Sequence, residues 1–319
     1  LAAYLAGKIE GLGPDFTVEK FKGVQSNRTY SLTGANATYV LPRRPPGKLL
    51  APAHAIDREY KVMEAVGKVG FPAPRTYHYC EDESVIGSAF YVVSFNPGRV
   101  FWEPSSPGLE PAERASVYDD MNARLAELHG LDYAAIGLGD FAKVGGYTAR
   151  NLSRWSGVYD QTRMIDIPDM DWLMAKLPEM APKDEPTRLI HGDYGLTNVI
   201  VSPDAPKIGA VLDWEMATLG DPFVDLCHHL RPWWEPADET GAYSSLQGLD
   251  LAALGVPDMD AYIGAYCRRL GFSEMPHRNF YLGFAQFRYA SMIQAILKRA
   301  ASGTASNRTI LHRQDRVQE

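Results

Sequence analysis

An aspartate and an asparagine stand five residues apart in His191-Gly192-Asp193-Tyr194-Gly195-Leu196-Thr197-Asn198, and a second aspartate, in Asp213-Trp214-Glu215, follows the first by twenty residues. Short apolar runs at 188–190, 199–201 and 208–212 flank them, so all three groups fall on loops between short strands. That set suits phosphoryl transfer, which asks little covalent chemistry of a protein and depends on a positioned hydroxyl and on metal ions bridging the phosphates. A carboxylate can take the hydroxyl proton. A side-chain amide and a second carboxylate are hard oxygen ligands of the kind Mg²⁺ accepts. A lone His-Gly-Asp run would be no more than a polar turn between strands; several groups at matching spacing favour chemistry.

The elements that must position these loops read as follows. Residues 17–22, 28–33 and 38–41 are rich in β-branched and aromatic residues and are separated by the polar turns 23–27 and 34–37, which predicts a three-strand meander. Pro42, Pro45, Pro46 and Gly47 are expected to stop that sheet. A helix is predicted over 53–69, with Ile56, Tyr60, Met63 and Val66 on one face, and two more strands over 75–80 and 89–95. Asn96-Pro97-Gly98 is a turn and the expected lobe boundary. Beyond it helices dominate: 112–128, a stretch around Trp155, 168–177, 221–230, 258–270 and 276–299. The stripe of Phe280, Phe284 and Phe287 on the last is expected to be core.

Bulk properties exclude several classes. At 319 residues, 45% hydrophobic and 22% charged, the chain can bury an ample core without disulfides or structural metals. Cys80, Cys227 and Cys267 are few, odd in number and widely spaced, which predicts a reducing compartment and a cytoplasmic protein. No apolar stretch reaches the length of a membrane span. Leu1-Ala2-Ala3-Tyr4 lacks the basic and apolar regions of a signal peptide, so none is expected, and the missing initiator Met leaves a clipped or internal start open. A net charge of −7 argues against a nucleic-acid partner, and the short pairs Arg43-Arg44 and Arg268-Arg269 do not change that.

The segments HGDYGLTN and VLDWEMATLGDPFVDL are together similar to the aminoglycoside phosphotransferase and choline kinase superfamily, in which Gly192 stands where protein kinases have Arg. PPGKLLAPAHAIDREYKV further resembles the phosphotransferase-like domain found fused to acyl-CoA dehydrogenases. The resemblance runs along nearly the whole chain. It implies an α+β, two-lobed kinase-like fold, with an antiparallel-sheet nucleotide lobe over 1–95 and a mostly helical catalytic and acceptor lobe over 96–319. It further implies ATP and Mg²⁺ as cofactors, Asp193 as catalytic base, and Asn198 and Asp213 as metal ligands. His191 enters the catalytic set as a brace of the loop, Glu215 as a neighbour of metal or acceptor, and Asp225 as the residue that steadies the loop.

For the nucleotide, the resemblance assigns the turn containing Gln25, Ser26 and Asn27 to the phosphates, Glu59 to orienting a phosphate-binding cation, and the main chain near Ser94 and Phe95 to adenine. The family pattern places Lys or Arg directly after Tyr39-Val40-Leu41, where this chain has Pro42. Strand alternation lets Arg44 project to the same side as position 42, making it the preferred substitute; Arg43 is the other.

The expected reaction is transfer of the γ-phosphoryl group of ATP to a hydroxyl of a small molecule. The likeness to dehydrogenase-fused domains points to a hydroxyacyl or acyl-CoA-type acceptor. An aminoglycoside would need acids such as Glu235, Asp238 and Glu239, and a choline-like alcohol could use Trp233-Trp234 by cation–π contact. Pro42 motivates a second reading, a non-catalytic nucleotide-binding module of kinase fold. A two-metal phosphoesterase is a third. It would need several His and Asp ligands, and His228-His229 are read as helix packing instead.

Overall fold

The computed structural model of the chain describes residues 1–21, 28–44, 56–236 and 245–302. After a short helix α1 (Ala2–Leu5), strands β1 (Thr17–Lys20), β2 (Arg28–Thr33) and β3 (Thr38–Arg43) form the antiparallel meander that the turn signals predict. Helix α2 (Ile56–Lys68) follows, then β4 (Thr76–Cys80) and β5 (Phe90–Ser94), giving one five-stranded sheet in the order β1-β2-β3-β5-β4. Side-chain alternation divides the sheet into two faces. Leu32, Tyr39, Leu41, Phe90 and Val92 pack with Leu5, Ile9 and Leu12 on the outer face. Tyr91 and Val93 point the other way, against Ile56, Met63 and Val66 of α2 and the core that continues into the second lobe.

Pro42 does not end the sheet. β3 continues to Arg43, paired with Arg28 on one side and Phe90 on the other. The β3–β5 ladder carries pairs at Val40 and again at Arg43 but none at Leu41 or Pro42. A proline has no N–H to donate, so the strand runs through it at the cost of a local gap in one ladder.

The linker is pinned to the second lobe. Arg99 and Val201 exchange backbone hydrogen bonds at 2.9 and 2.8 Å, and a Cβ on Gly98 would lie 2.3 Å from the Val201 carbonyl oxygen. Only glycine tolerates that approach. The second lobe comprises α3 (Pro111–Gly130), α4 (Tyr147–Thr162), α5 (Pro168–Met180), β6 (Arg188–Ile190), β7 (Val199–Val201), β8 (Ile208–Val211), β9 (Thr218–Gly220), α6 (Pro222–His229), α7 (Arg231–Trp234), α8 (Leu251–Leu254), α9 (Met259–Arg269) and α10 (Arg278–Ala301). The strands form two ribbons, β6 with β9 and β7 with β8. Phe280, Phe284 and Phe287 of α10 are all buried, as the periodicity predicts. β9 and the short helices α1, α7 and α8 have no sequence counterpart in the reading above, since segments of three or four residues carry too little periodicity to register. No helix among the described residues is long and apolar enough to cross a membrane, and the three cysteines are buried and unbridged.

Candidate active site

The two ribbons deliver the chemical groups. His191, Gly192 and Asp193 follow β6, Asn198 closes a single 3₁₀ turn before β7, and Asp213 follows β8. Asp213 itself sits at φ +60°, a left-handed conformation that costs a non-glycine residue and recurs at functional sites. The two loops are laced together: the Leu212 N–H donates to the Asn198 carbonyl at 2.8 Å, and His191 Nε2–H to the Leu212 carbonyl at 2.8 Å.

Asp225, in α6, is the anchor beneath. Its carboxylate accepts the N–H groups of His191 and Gly192, both at 2.8 Å, and the Nε2–H of His129 at 3.1 Å. Burial alone would raise its pKa. The hydrogen bond and charge of His129, the charge of His191 and the loop amides outweigh it and hold the carboxyl well below the usual carboxylate range. Gly192 at φ +84° makes the turn, and a Cβ there would lie 2.6 Å from the Met216 carbonyl oxygen, so the residue after His191 has to be glycine.

His191 is wholly buried, its ring 4.8 Å from that of Trp214, with Nε2 engaged by Leu212 and Nδ1 accepting the Asp193 N–H at 3.3 Å. It braces the loop and does not reach an open cleft. Asp193 is different: 47% of its side chain is exposed. Asn198 Nδ2 donates to its carbonyl at 2.8 Å and to its Oδ2 at 3.0 Å, while His228 Nε2 meets its Oδ1 at 2.8 Å. Burial works to raise the Asp193 pKa, but His228, His191 and Arg231 overcome that and lower it, so the group is an ionised base at neutral pH. Burial keeps His228 neutral, its pKa lowered further by Arg288 and Arg231, which makes it an N–H donor to Asp193.

His228 is a contact of Asp193 that sequence reasoning missed. The pair was read as packing, which holds for His229, bonded to the Tyr262 hydroxyl at 2.8 Å. His228 instead points at the base. The available signal was its position three residues after Asp225 on one helix, which puts both on the same face.

The donor set fits Mg²⁺. With Asn198 Nδ2 engaged by Asp193, its Oδ1 is left to act as a ligand beside the Asp213 carboxylate, the hard-oxygen pair that Mg²⁺ completes with waters and phosphate oxygens. Burial, Glu215 and Asp193 push the Asp213 pKa up to about 7, the response of a carboxylate crowded by others before a cation joins them. Among the described residues no group of three or more His, Cys, Asp and Glu side chains could hold a metal.

The nucleotide side is mixed. Glu59, on α2, is 6% exposed and hydrogen bonds with Tyr91; its Oε2 has no partner, and burial pushes its pKa up to about 8. Among the described residues it makes no ion pair. Arg44 lies just past β3, its N–H bonded to the Ala89 carbonyl at 3.0 Å, on the side of Val40 that faces the main core, and its charge is felt by Tyr79. Arg43 has the parity of Tyr39 and Leu41 on the outer face. The Ser94 N–H is engaged by the Arg75 carbonyl at 2.8 Å and the Phe95 N–H by the Thr38 carbonyl at 3.4 Å, so these two amides are already paired. Gln25, Ser26 and Asn27, like Asp238 and Glu239, lie outside the described residues.

The comparisons agree with this geometry. Residues 17–271 match the phosphotransferase enzyme family. The acyl-CoA dehydrogenase family member 10 of Mus musculus is 37% identical over 314 residues, covering 97% of this chain but only 29% of that protein's length. A crystal structure from Ralstonia eutropha, provisionally named an aminoglycoside phosphotransferase, is 42% identical, superposes with a TM-score of 0.90 and covers 99% of this chain and 93% of its own. The GDP complex of aminoglycoside 2'-phosphotransferase-IIIa shares the fold at 11% identity, with a TM-score of 0.61 over 94% of this chain and 91% of its own. With the family match running along most of the sequence over a kinase-like fold, the chain belongs to the phosphotransferase enzyme family.

Proposed function

We propose that the chain transfers the γ-phosphoryl group of Mg-ATP to a hydroxyl of a small molecule in the cytoplasm. The observation that carries this reading is Asp193: an ionised carboxylate, half exposed, with one oxygen fixed by Asn198 and the other by His228. Asp193 orients the acceptor hydroxyl and takes its proton as the oxygen–phosphorus bond forms and the bond to ADP breaks. Asn198 and Asp213 would hold Mg²⁺, which when bound offsets charge on the transferred group. Asp225 and His191 keep the loop in register, and Trp214 closes it from below. A hydroxyacyl or acyl-CoA-type acceptor is supported by likeness to domains within acyl-CoA dehydrogenase family proteins; an aminoglycoside has less support because buried Glu235 is engaged by Arg231 and Tyr289, and a choline-like alcohol because Trp233 is packed against Tyr118, His229 and Tyr262. ADP release from Mg-ATP with a panel of hydroxylated metabolites tests the reading, with an Asp193→Asn loss of about 10²–10⁴-fold expected. Unchanged turnover in that variant would refute it.

Glu59, without an ion pair among the described residues, and the proline at position 42 favour a second reading, a nucleotide-binding module without turnover. Thermal shift on ATP addition that ignores Mg²⁺, with no ADP formed, would select it.

A further inference from the structure

The two oxygens of Asp193 face different neighbourhoods. Oδ2 lies toward Asn198 and the metal side; Oδ1 lies toward His228 and the helical wall of α6, α7, α10 and α4. That wall is rich in donors. Arg288 on α10 gives one N–H to the Gly192 carbonyl at 3.2 Å, beside the base, and among the described residues forms no ion pair. Four of its five donors are left for other partners. Its guanidinium is 5.7 Å from the ring of Trp155, whose buried Nε1–H has no partner. Arg231 on α7 stacks 4.3 Å over Tyr289, and Trp234, packed on the same Tyr289, has a second buried Nε1–H without a partner. The carboxylate on this wall, Glu235, is 6% exposed and turned inward to Arg231 and Tyr289.

We infer that Arg231 and Arg288 form an anion-recognition wall, so that the acceptor carries a carboxylate or phosphate group close to the hydroxyl that is phosphorylated. The inference deepens the kinase reading and rests on it. Among the described residues, Arg231 is paired with Glu235 while Arg288 forms no ion pair, and the four donor-bearing side chains Arg231, Arg288, Trp155 and Trp234 suit an oxygen-rich anion. A polycationic acceptor would meet like charge there.

The test uses the intact chain with Mg-ATP and matched sets of short acceptors: hydroxycarboxylates, their uncharged amides, hydroxyalkyl phosphates, amino alcohols and kanamycin. A preference of at least tenfold in kcat/KM for carboxylate or phosphate over amide is expected, and it should disappear in Arg288→Leu and Arg231→Leu with the change mainly in acceptor KM. Arg288→Lys should restore part of it. Which anion is preferred separates a carboxylate from a phosphate acceptor. Preference for amino alcohols or kanamycin, or equal use of acid and amide, overturns the inference and leaves the kinase reading intact. A second arm needs no turnover. Titration of the same hydroxycarboxylates and phosphates into the nucleotide-free protein, followed by tryptophan fluorescence, should saturate and weaken at least tenfold in Arg288→Leu. Absence of a saturable signal for any anion in the wild type, or equal affinity in a folded Arg288→Leu, overturns it even if no acceptor turns over.

Discussion

Replacing Asp225 by Asn tests the loop architecture more sharply than any change at the base. The carboxylate accepts three donors: the His191 and Gly192 amides at 2.8 Å and His129 Nε2–H at 3.1 Å. Asn keeps one acceptor oxygen and puts an NH₂ in place of the other. Facing Gly192, that NH₂ opposes a backbone N–H. Facing His191 and His129, it can be accommodated by a tautomer change at His129 but still opposes the His191 amide. Every arrangement therefore leaves at least one buried N–H unmatched, at about 1–3 kcal/mol, and turns the remaining charge-assisted bonds into neutral ones worth about 1 kcal/mol less each. The sum is about 3–5 kcal/mol, or roughly 4–8 °C in Tm for a chain of 319 residues. The pH dependence adds a signature. The folded pKa of Asp225 lies below its unfolded value, so its stabilisation is complete above the usual carboxylate range near pH 4 and is lost as pH falls through the folded value. The gap between wild type and Asp225→Asn should therefore narrow on acidification. Thermal melts at pH 7, 5 and 3 measure both. A variant within about 2 °C of wild type at pH 7, or a gap that does not narrow by pH 3, would refute the reasoning.

Gly192→Ala forces a Cβ to 2.6 Å from the Met216 carbonyl at φ +84°; a loss of at least about 1–2 kcal/mol in a denaturant titration and a tenfold or greater fall in turnover are expected. His228→Ala removes the donor that lowers the Asp193 pKa, so the acidic limb of the kcat/KM profile should move to higher pH, with His228→Gln recovering most of the wild-type position; an unmoved limb would count against His228. Glu59, with a folded pKa pushed up to about 8 from 4.5, penalises the folded state increasingly as pH rises between those values. Glu59→Gln should therefore stabilise the nucleotide-free protein by at most about 3 kcal/mol at pH 7 and by little at pH 4, checked by urea unfolding at both.

Legibility in the sequence followed the range of the contacts. The placement of Asp193, Asn198 and Asp213 on loops between short strands was readable because the distance between them along the chain is short, on the two loops that cross between the β6–β9 and β7–β8 ribbons. Asp225 came with them through the family resemblance. The positions of His228 and Arg288 beside the Asp193 loop were not readable. His228 meets Asp193 across 35 residues and Arg288 meets Gly192 across 96, and both rest on helix packing that no local pattern encodes. The fold divides the same way. Long periodic helices such as α3 and α10 and the β1–β2–β3 meander follow from periodicity and turn chemistry, whereas β9 exists as a strand through its pairing with β6.

Pro42 shows how one position can mislead locally and still be informative. Read alone, it should stop a strand; in place, β2 holds one edge while the other ladder lapses beside it. Its consequence appears on α2, not in the sheet. A buried glutamate near Asp213 and Glu215, with no cation opposite among the described residues, is strongly disfavoured as an anion. Burial, with the charges of Asp213 and Glu215, pushes the Glu59 pKa up to about 8 against the opposing effect of its hydrogen bond to Tyr91, which favours the protonated form at neutral pH. The lobe thus keeps its architecture without the lysine or arginine that the family pattern places there. Positive charge in the described site gathers instead at Arg231 and Arg288, on the helical side of Asp193. The anion-recognition wall inferred above rests on these two side chains, and a site built for a polycationic acceptor would have no use for them.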